Sequence, residues 1–371
     1  MSGPRPEAPH LIDRRDFLRS AGAGFLAALA PMSYARAMET DAVFATAFQK
    51  RDGTYGAAIF SEQGKLIYQI DLPERGHDIS FDPVSKRSVV FARQPGSFMI
   101  VFDHTGMAKP LTIPSISGRH YYGHGAFSRD GALLYVTEND FENAAGVVGV
   151  YDATDGFRRT GEFPTYGVGP HELLLLEDGQ TLAIANGGIE THPDFGRAEL
   201  NLATMRPNFV FVDSRSGALI ERHELPDTLH QLSIRHMATD EAGGVWFGCQ
   251  HRGPVSERPL LVGKARRGES FGLIDMPEDI VTGFRNYIGS VAANPAAGTI
   301  AVSSPQGNSF AVLEARSGNI LRATNLTEVC GLAPDADGFL ASTGPGTMLT
   351  PDGAQRDTPD YVWDNHMLRI A

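Results

Sequence analysis

Histidine recurs in one sequence frame at a constant interval. "GHDISFDP" at His77, "GHGAFSRDG" at His124 and "PHELLLLEDG" at His171 stand 47 residues apart, each a histidine followed by small or apolar residues and then a turn. The frame returns 65 residues further on as "RHMATDEAGG" at His236, after an insertion. It recurs twice without histidine, as "SVAANPAAG" at Ser290 and "CGLAPDADG" at Cys330. Such a period constrains the fold more than any single motif, because each unit must bury its apolar face against its neighbours.

Every frame is followed by the same succession of elements. A β-rich run comes first (Ser88–Ala92, Leu133–Thr137, Leu182–Ala185, Val245–Gly248, Thr299–Ser303, Gly338–Ser342). A second run then ends in an acidic or polar turn, as in "FMIVFDHTG" and "VVGVYDATDG", and a third commonly closes on proline, as in "ALIERHELP". Four short strands per unit with a period in the mid-forties predict an all-β, seven-bladed β-propeller. No helical periodicity competes with this pattern in the chain after residue 37. "AVFATAF", "GAAIFSEQG" and "LIYQIDLP" read as the second to fourth strands of a blade that lacks its first, and "WDNHMLRIA" at the C-terminus is expected to supply it. The ring is then closed by the N- and C-terminal strands, and no sheet edge stays open. Thr347–Tyr361 is short and proline-rich for the rest of a blade.

The first strand of a propeller blade lines the central channel. His77, His124, His171, His236 and His366 are therefore expected at equivalent positions around one funnel, with Ser290 and Cys330 in the other two places. Neutral imidazole is a common ligand for iron, copper, zinc and nickel. The plainer alternative is a set of histidines that only tie strands together by hydrogen bonds.

The long polar loops between second and third strands should open on the same face as the histidines. They are Thr137–Gly146, Asn186–Asn208 and Gln250–Pro259, and they carry Glu138, Asn139, Asp140, Glu190, His192, Asp194, Arg197, His251 and Arg252. Loops gathered on a rigid scaffold are where binding usually resides. Glu138-Asn139-Asp140 reads equally well as a capped turn, and His192-Pro193-Asp194 as a solvated loop tip. Arg197 and Arg252 suit a carboxylate or phosphate, or the loops' own acids. Glu172 and Asp140 are the candidates for a general base, and Glu172 could also orient an imidazole. Tyr121 and Tyr122 suit a blade junction, a rim phenol for ferric iron being the alternative, and Trp246 reads as core.

The N-terminus has a separate character. "DRRDFLRSAGAGFLAALAPMSYARA" places Arg14 and Arg15 before an apolar, glycine-containing run and an Ala35-Arg36-Ala37 ending. This is the order of a twin-arginine export signal over residues 1–37, leaving residues 38–371 as one propeller domain in the periplasm. No later segment is apolar over the length needed to span a bilayer. The formal charge of -12, with no Lys/Arg cluster, argues against nucleic acid and anionic membrane surfaces as partners. Cys249 and Cys330, the only cysteines, form no zinc or haem motif, and a disulfide between them is left open. There is no G-x-S-x-G elbow, P-loop or H-E-x-x-H.

The export signal together with "GHGAFSRDGALLYVTEND", "GVGPHELLLLEDGQTLAIANGGIETHP", "LSIRHMA" and "WDNH" resembles a proteobacterial family of exported proteins known as a domain of unknown function. The resemblance covers nearly all of the chain after the signal. It implies a seven-bladed propeller often encoded beside imelysin-like proteins and a dihaem thiol-oxidoreductase-like protein, in a neighbourhood linked to iron uptake. The matching positions are His124, Glu138, Asn139, Asp140, His171, Glu172, Asn186, His192, Arg235, His236 and His366. The resulting expectation is a periplasmic propeller that binds iron or copper, or a metal complex, at the funnel mouth. Glu138, Asn139, Asn186, His192, Arg197, Arg235 and His251 would surround the ligand. Alternatives are a metal-dependent, lactonase-like hydrolase and a metal-free scaffold for a protein partner.

Overall fold

The computed structural model describes residues 43–104, 108–269 and 271–370. The export signal expected over residues 1–37 lies outside them. Seven antiparallel sheets form a β-propeller. The innermost strands of blades 2 to 7 are Gly76–Asp82, Arg119–Phe127, Pro170–Leu175, Leu232–Thr239, Ser290–Asn294 and Val329–Asp335, each followed outward by the next three strands of the chain.

Blade 1 closes the ring as expected. Phe44–Lys50, Tyr55–Phe60 and Leu66–Leu72 form its outer part, and Tyr361–Trp363 and Leu368–Arg369 both pair with Phe44–Lys50 on the inner side. The closing strand is thus broken in two around Asp364–Met367. Thr347–Leu349 and Gln355–Asp357 complete blade 7, so the short proline-rich stretch builds its strands with only three residues each.

Burial follows the strand's place in the blade. Blades pack face to face, so inner and middle strands are covered on both sides and read as continuous apolar runs, such as the wholly buried Thr181–Asn186. Outermost strands show one face to water and alternate, as Arg158–Pro164 does. The largest core lies between blades 4 to 6, where Phe209, Phe211, Trp246 and Phe247 are fully buried. Trp246 donates its indole N–H to Asp240 at 3.0 Å, satisfying its one polar atom. Glu278–Gly283, in the connection between blades 5 and 6, forms a short α-helix outside the blades. Its six residues are too few to leave a periodic signal. Cys249 and Cys330 are both buried and free, on the inner parts of blades 5 and 7. Among the described residues no helix is long and apolar enough to cross a membrane.

Candidate metal centre

The inner strands share an irregularity that places the histidines. In blade 2, His77 and Asp78 lie between the pairs Gly76↔Ala92 and Ile79↔Val90, so two residues face one. The same kind of register shift surrounds Tyr122–His124, His171, Arg235–His236 and Cys330–Gly331 in blades 3, 4, 5 and 7. Asp364–Met367 in blade 1 bulges at the matching level, between Phe48↔Trp363 and Ala45↔Leu368. Blade 6 alone runs through in register from Ser290↔Ser303. A bulge bends the strand and re-aims a side chain that strict alternation would return to the sheet. Glycine is required in one of these bulges: Gly123 has φ +106°, and a Cβ there would lie 2.7 Å from the His77 ring.

The five imidazoles converge. Ring centroids are 4.9 Å apart for His77 and His124, 5.0 Å for His124 and His171, 4.6 Å for His171 and His236, 4.6 Å for His236 and His366, and 4.6 Å for His366 and His77. Two overlapping sets, His77–His124–His171 and His124–His236–His366, have ligand atoms within 4.8 Å of one another. Nitrogens bound to one ion at about 2.1 Å can stand roughly 4.2 Å apart at most, so a slight contraction suits either set to a single ion.

Carboxylates hold the outer sides of the rings. His77 Nδ1 lies 3.2 Å from Asp364 Oδ1, and His124 Nδ1 lies 3.1 Å from Asp78 Oδ2. An N–H donated from Nδ1 to a carboxylate leaves the Nε2 lone pair free and orients the ring, the usual support of a metal-bound histidine. Glu172 Oε2 stands 3.8 Å from His124 Nδ1 and 3.5 Å from His236 Nδ1, and accepts the Met237 N–H at 3.1 Å. Arg75 pairs with Asp364 at 2.6 Å. By contrast His124 Nε2, His171 Nε2, His236 Nδ1 and His366 Nε2 are buried with no hydrogen-bond partner.

Burial, followed by the neighbouring imidazoles, pushes the pKa of His77, His171 and His236 well below the ordinary value. Burial brings His366 down to about 4. Their lone pairs are available at neutral pH. Burial opposes charge on His124 as well, but Glu172 and the hydrogen bond to Asp78 outweigh it and raise its pKa. Burial lifts Glu172 to about 8.

The ring floors a cavity of about 260 Å³ whose lining includes His77, His171 and His236 below and Arg93, Arg197, Arg235 and Arg252 above. Tyr122 lines it too, its hydroxyl 3.2 Å from Thr191 Oγ1 and its pKa pushed by burial to about 12. Tyr121 instead packs within blade 3, its hydroxyl 3.1 Å from that of Tyr151.

The other expected residues part company. Arg197 and Arg235 reach the cavity. Glu138 does not: it is bound by Arg159 at 2.7 Å and by the Tyr151 hydroxyl at 2.6 Å inside blade 3, and Asp140 is paired with Arg119 at 3.0 Å on the same face. Asn139, on the opposite face, donates to the Thr191 carbonyl at 3.0 Å and pins the long loop of blade 4. Asn186 bridges Thr165 O and Asn208 Oδ1 at 2.8 Å each, closing the neck of that loop. His192 caps the turn Pro193–Phe195 and packs on Phe141, and His251 stands 2.9 Å from Glu257. Asp78, Asp364 and Arg93 join the site although no expectation named them. The dipeptide "HD" and the "D" of "WDNH" were the available signals for the two acids.

A family model described as "Protein of unknown function (DUF1513)" matches residues 70–370, which span the inner strands carrying all five histidines. The chain belongs to this family. No curated protein matches it in sequence. Among solved structures, a chain of Kuenenia stuttgartiensis hydrazine synthase is similar at 14% identity and a TM-score of 0.57, covering 78% of this chain and 86% of that one. The β-propeller domain of Myceliophteria thermophila Cps50 (Swd1) is similar at 11% identity and a TM-score of 0.56, covering 82% and 93%. These likenesses show the propeller fold alone.

The buried imidazoles of this family member give a pH prediction for the metal-free protein. Outside the ring, burial also lowers His104 and His120 to about 4. A histidine depressed in the folded state binds fewer protons there than when unfolded, so its contribution is whole above about pH 6.5 and is lost as the pH falls toward 4. One fully buried imidazole of pKa about 4 accounts for roughly 2 kcal/mol by pH 5. Glu172, lifted to about 8, and His124, raised as well, work in the opposite direction, but the depressed imidazoles outnumber them, so thermal melts of metal-free protein should show a net fall in Tm as the pH drops from 6.5 to 4.

Proposed function

We propose that this propeller binds a transition-metal ion, iron or copper, in the ring of His77, His124, His171, His236 and His366, and serves metal acquisition or handling in the periplasm. One observation carries the reading: buried imidazole nitrogens without partners lie around a common centre, while carboxylates hold the opposite sides of two of the rings. Buried polar atoms are nearly always hydrogen-bonded, and several left open at one place call for a ligand. Imidazole ligands suit iron or copper, whereas magnesium or calcium would select oxygen. His77, His124 and His171, or His124, His236 and His366, would hold the ion. Asp78 and Asp364 would set the tautomers, and the acidic groups would offset its charge. Neither residue put forward as a general base, Glu172 or Asp140, lies on the cavity wall, so nothing specific favours the hydrolase reading.

Export through the twin-arginine route and an imelysin-like partner belong to the same proposal, supported by Arg14-Arg15 with its following apolar run and by the family resemblance. The test is the metal content of protein isolated from periplasm without a histidine tag. Near-stoichiometric iron or copper is expected. Metal-free protein that also takes up neither added Fe(II), Fe(III) nor Cu(II) would overturn the reading.

A further inference from the structure

The cavity above the histidines has a second chemistry, that of unmatched positive charge. Four arginines, Arg93, Arg197, Arg235 and Arg252, line it, against Glu199 as the one carboxylate among its lining residues. Glu199 is taken by Arg252. Arg235 Nε donates to Ser233 Oγ at 3.1 Å, and its Nη1 lies 3.5 Å from His171 Nδ1, at the outer limit of a hydrogen bond. No ion pair involves Arg93, Arg197 or Arg235 among the described residues. In a chain of net charge -12 this is an island of like charge. Burial first, and then Arg93 and Arg75, lower the pKa of Arg197, and burial brings Arg235 to about 10.

The nearby carboxylates are already engaged, Asp364 by Arg75 and His77 and Glu199 by Arg252, and guanidinium groups held together repel one another. Here they come from three different blades: Arg93 from the loop after Arg87–Ala92, Arg197 from the long loop of blade 4, and Arg235 from the bulge of blade 5. We propose that the funnel mouth binds a small polycarboxylate, each carboxylate seated on a guanidinium fork of Arg93, Arg197 or Arg235. Three forks favour a multivalent anion over a single carboxylate, because each charge-assisted pair adds separately to affinity. The cavity of about 260 Å³ admits a molecule of a few carbons, and Gln94 and Gln250 on its walls, whose Nε2 groups donate to Thr191 Oγ1 and the Ile288 carbonyl, keep their amide oxygens for hydroxyl substituents. The histidine floor lies within the same cavity, so a polycarboxylate seated there is placed to act as a chelator beside the metal proposed above, but the arginine site itself does not depend on that metal.

Citrate titration by calorimetry separates the two ideas, using full-length mature protein as purified and a His124→Ala/His366→Ala variant, which changes two ring histidines that do not line the cavity. Citrate is expected to bind both, with affinity falling as salt is raised. Arg197→Gln and Arg93→Gln, both side chains without internal partners, should each weaken it roughly tenfold or more. Acetate and inorganic phosphate should bind at least roughly tenfold more weakly than citrate. No citrate binding to either protein, or binding unchanged by both arginine variants, would overturn the site. Phosphate binding as tightly as citrate would overturn the polycarboxylate class. Wild-type protein that binds citrate but takes up no iron or copper would count against the metal reading alone.

Discussion

His171→Ala protein isolated from periplasm should carry less than about a tenth of the wild-type metal, while its metal-free form melts within a few degrees of metal-free wild type. The two halves of this result exclude different things. His171 makes no hydrogen bond shorter than 3.5 Å through Nδ1, and its buried Nε2 has no partner. An imidazole in that state costs free energy in the folded protein, on the order of 1–3 kcal/mol for an unsatisfied buried group. Its removal therefore sacrifices little that holds the fold together. A histidine that only tied strands would behave in the opposite way, destabilising the protein on removal and leaving metal unaffected. His124→Ala is the instructive companion, because it leaves Asp78 without the ring that it accepts from at 3.1 Å. It should lose metal as fully as His171→Ala but melt lower. Metal content measured by mass spectrometry, with melts before and after metal removal, checks both. Wild-type metal content in His124→Ala, the residue common to both sets, would sink the histidine ring as the metal site, and wild-type content in His171→Ala alone would assign the ion to His124, His236 and His366.

The repeat made the ring legible. Residues at one phase of a propeller repeat occupy equivalent places on successive blades, so a 47-residue spacing is enough to bring His77, His124 and His171 to one funnel without knowledge of any contact. His366 followed from the need to complete blade 1. The bulges were not legible, because an inserted residue looks like ordinary sequence until its pairing partner is known. That is why Asp78 and Asp364, carried beside histidines on those bulges, went unnamed. Glu138, Asn139 and Asp140 show the complementary failure. Taken as one polar cluster, they look like a loop site, but Leu133–Asp140 is a strand to its last residue, and alternation divides them. Glu138 and Asp140 turn to one face and its arginines, and Asn139 turns to the other and to Thr191. Arg93 was missed because its loop is short and its sequence, "ARQPG", resembles any turn.

The face that takes Glu138 carries the second large effect. Glu138 is 1% exposed, and Arg159 binds it through Nη2 at 2.7 Å and Nε at 3.3 Å, while Arg159 and Arg119 share Glu162 and Arg119 reaches on to Asp140. The ladder of charges crosses blade 3 from Arg119 on its innermost strand to Arg159 and Glu162 on its outermost. Gly149 makes room for it, since a Cβ there would fall 2.0 Å from Glu138 Oε1. Arg159→Leu would leave the carboxylate with only the Tyr151 hydroxyl and bury an uncompensated charge, at a cost of about 3–5 kcal/mol. In a domain of this size that lowers Tm by on the order of 10 °C. Glu138→Leu in the same chain should restore much of the loss, because removing both charges ends the desolvation penalty that removing one exposes. Metal content and citrate binding should stay at wild-type levels in both proteins, since neither residue lies on the cavity wall. Thermal melts of the single and double variants, read beside their metal content, test whether blade 3 is held by this ladder independently of the funnel; an Arg159→Leu protein that melts like wild type would show that Glu138 is not held as a buried charge.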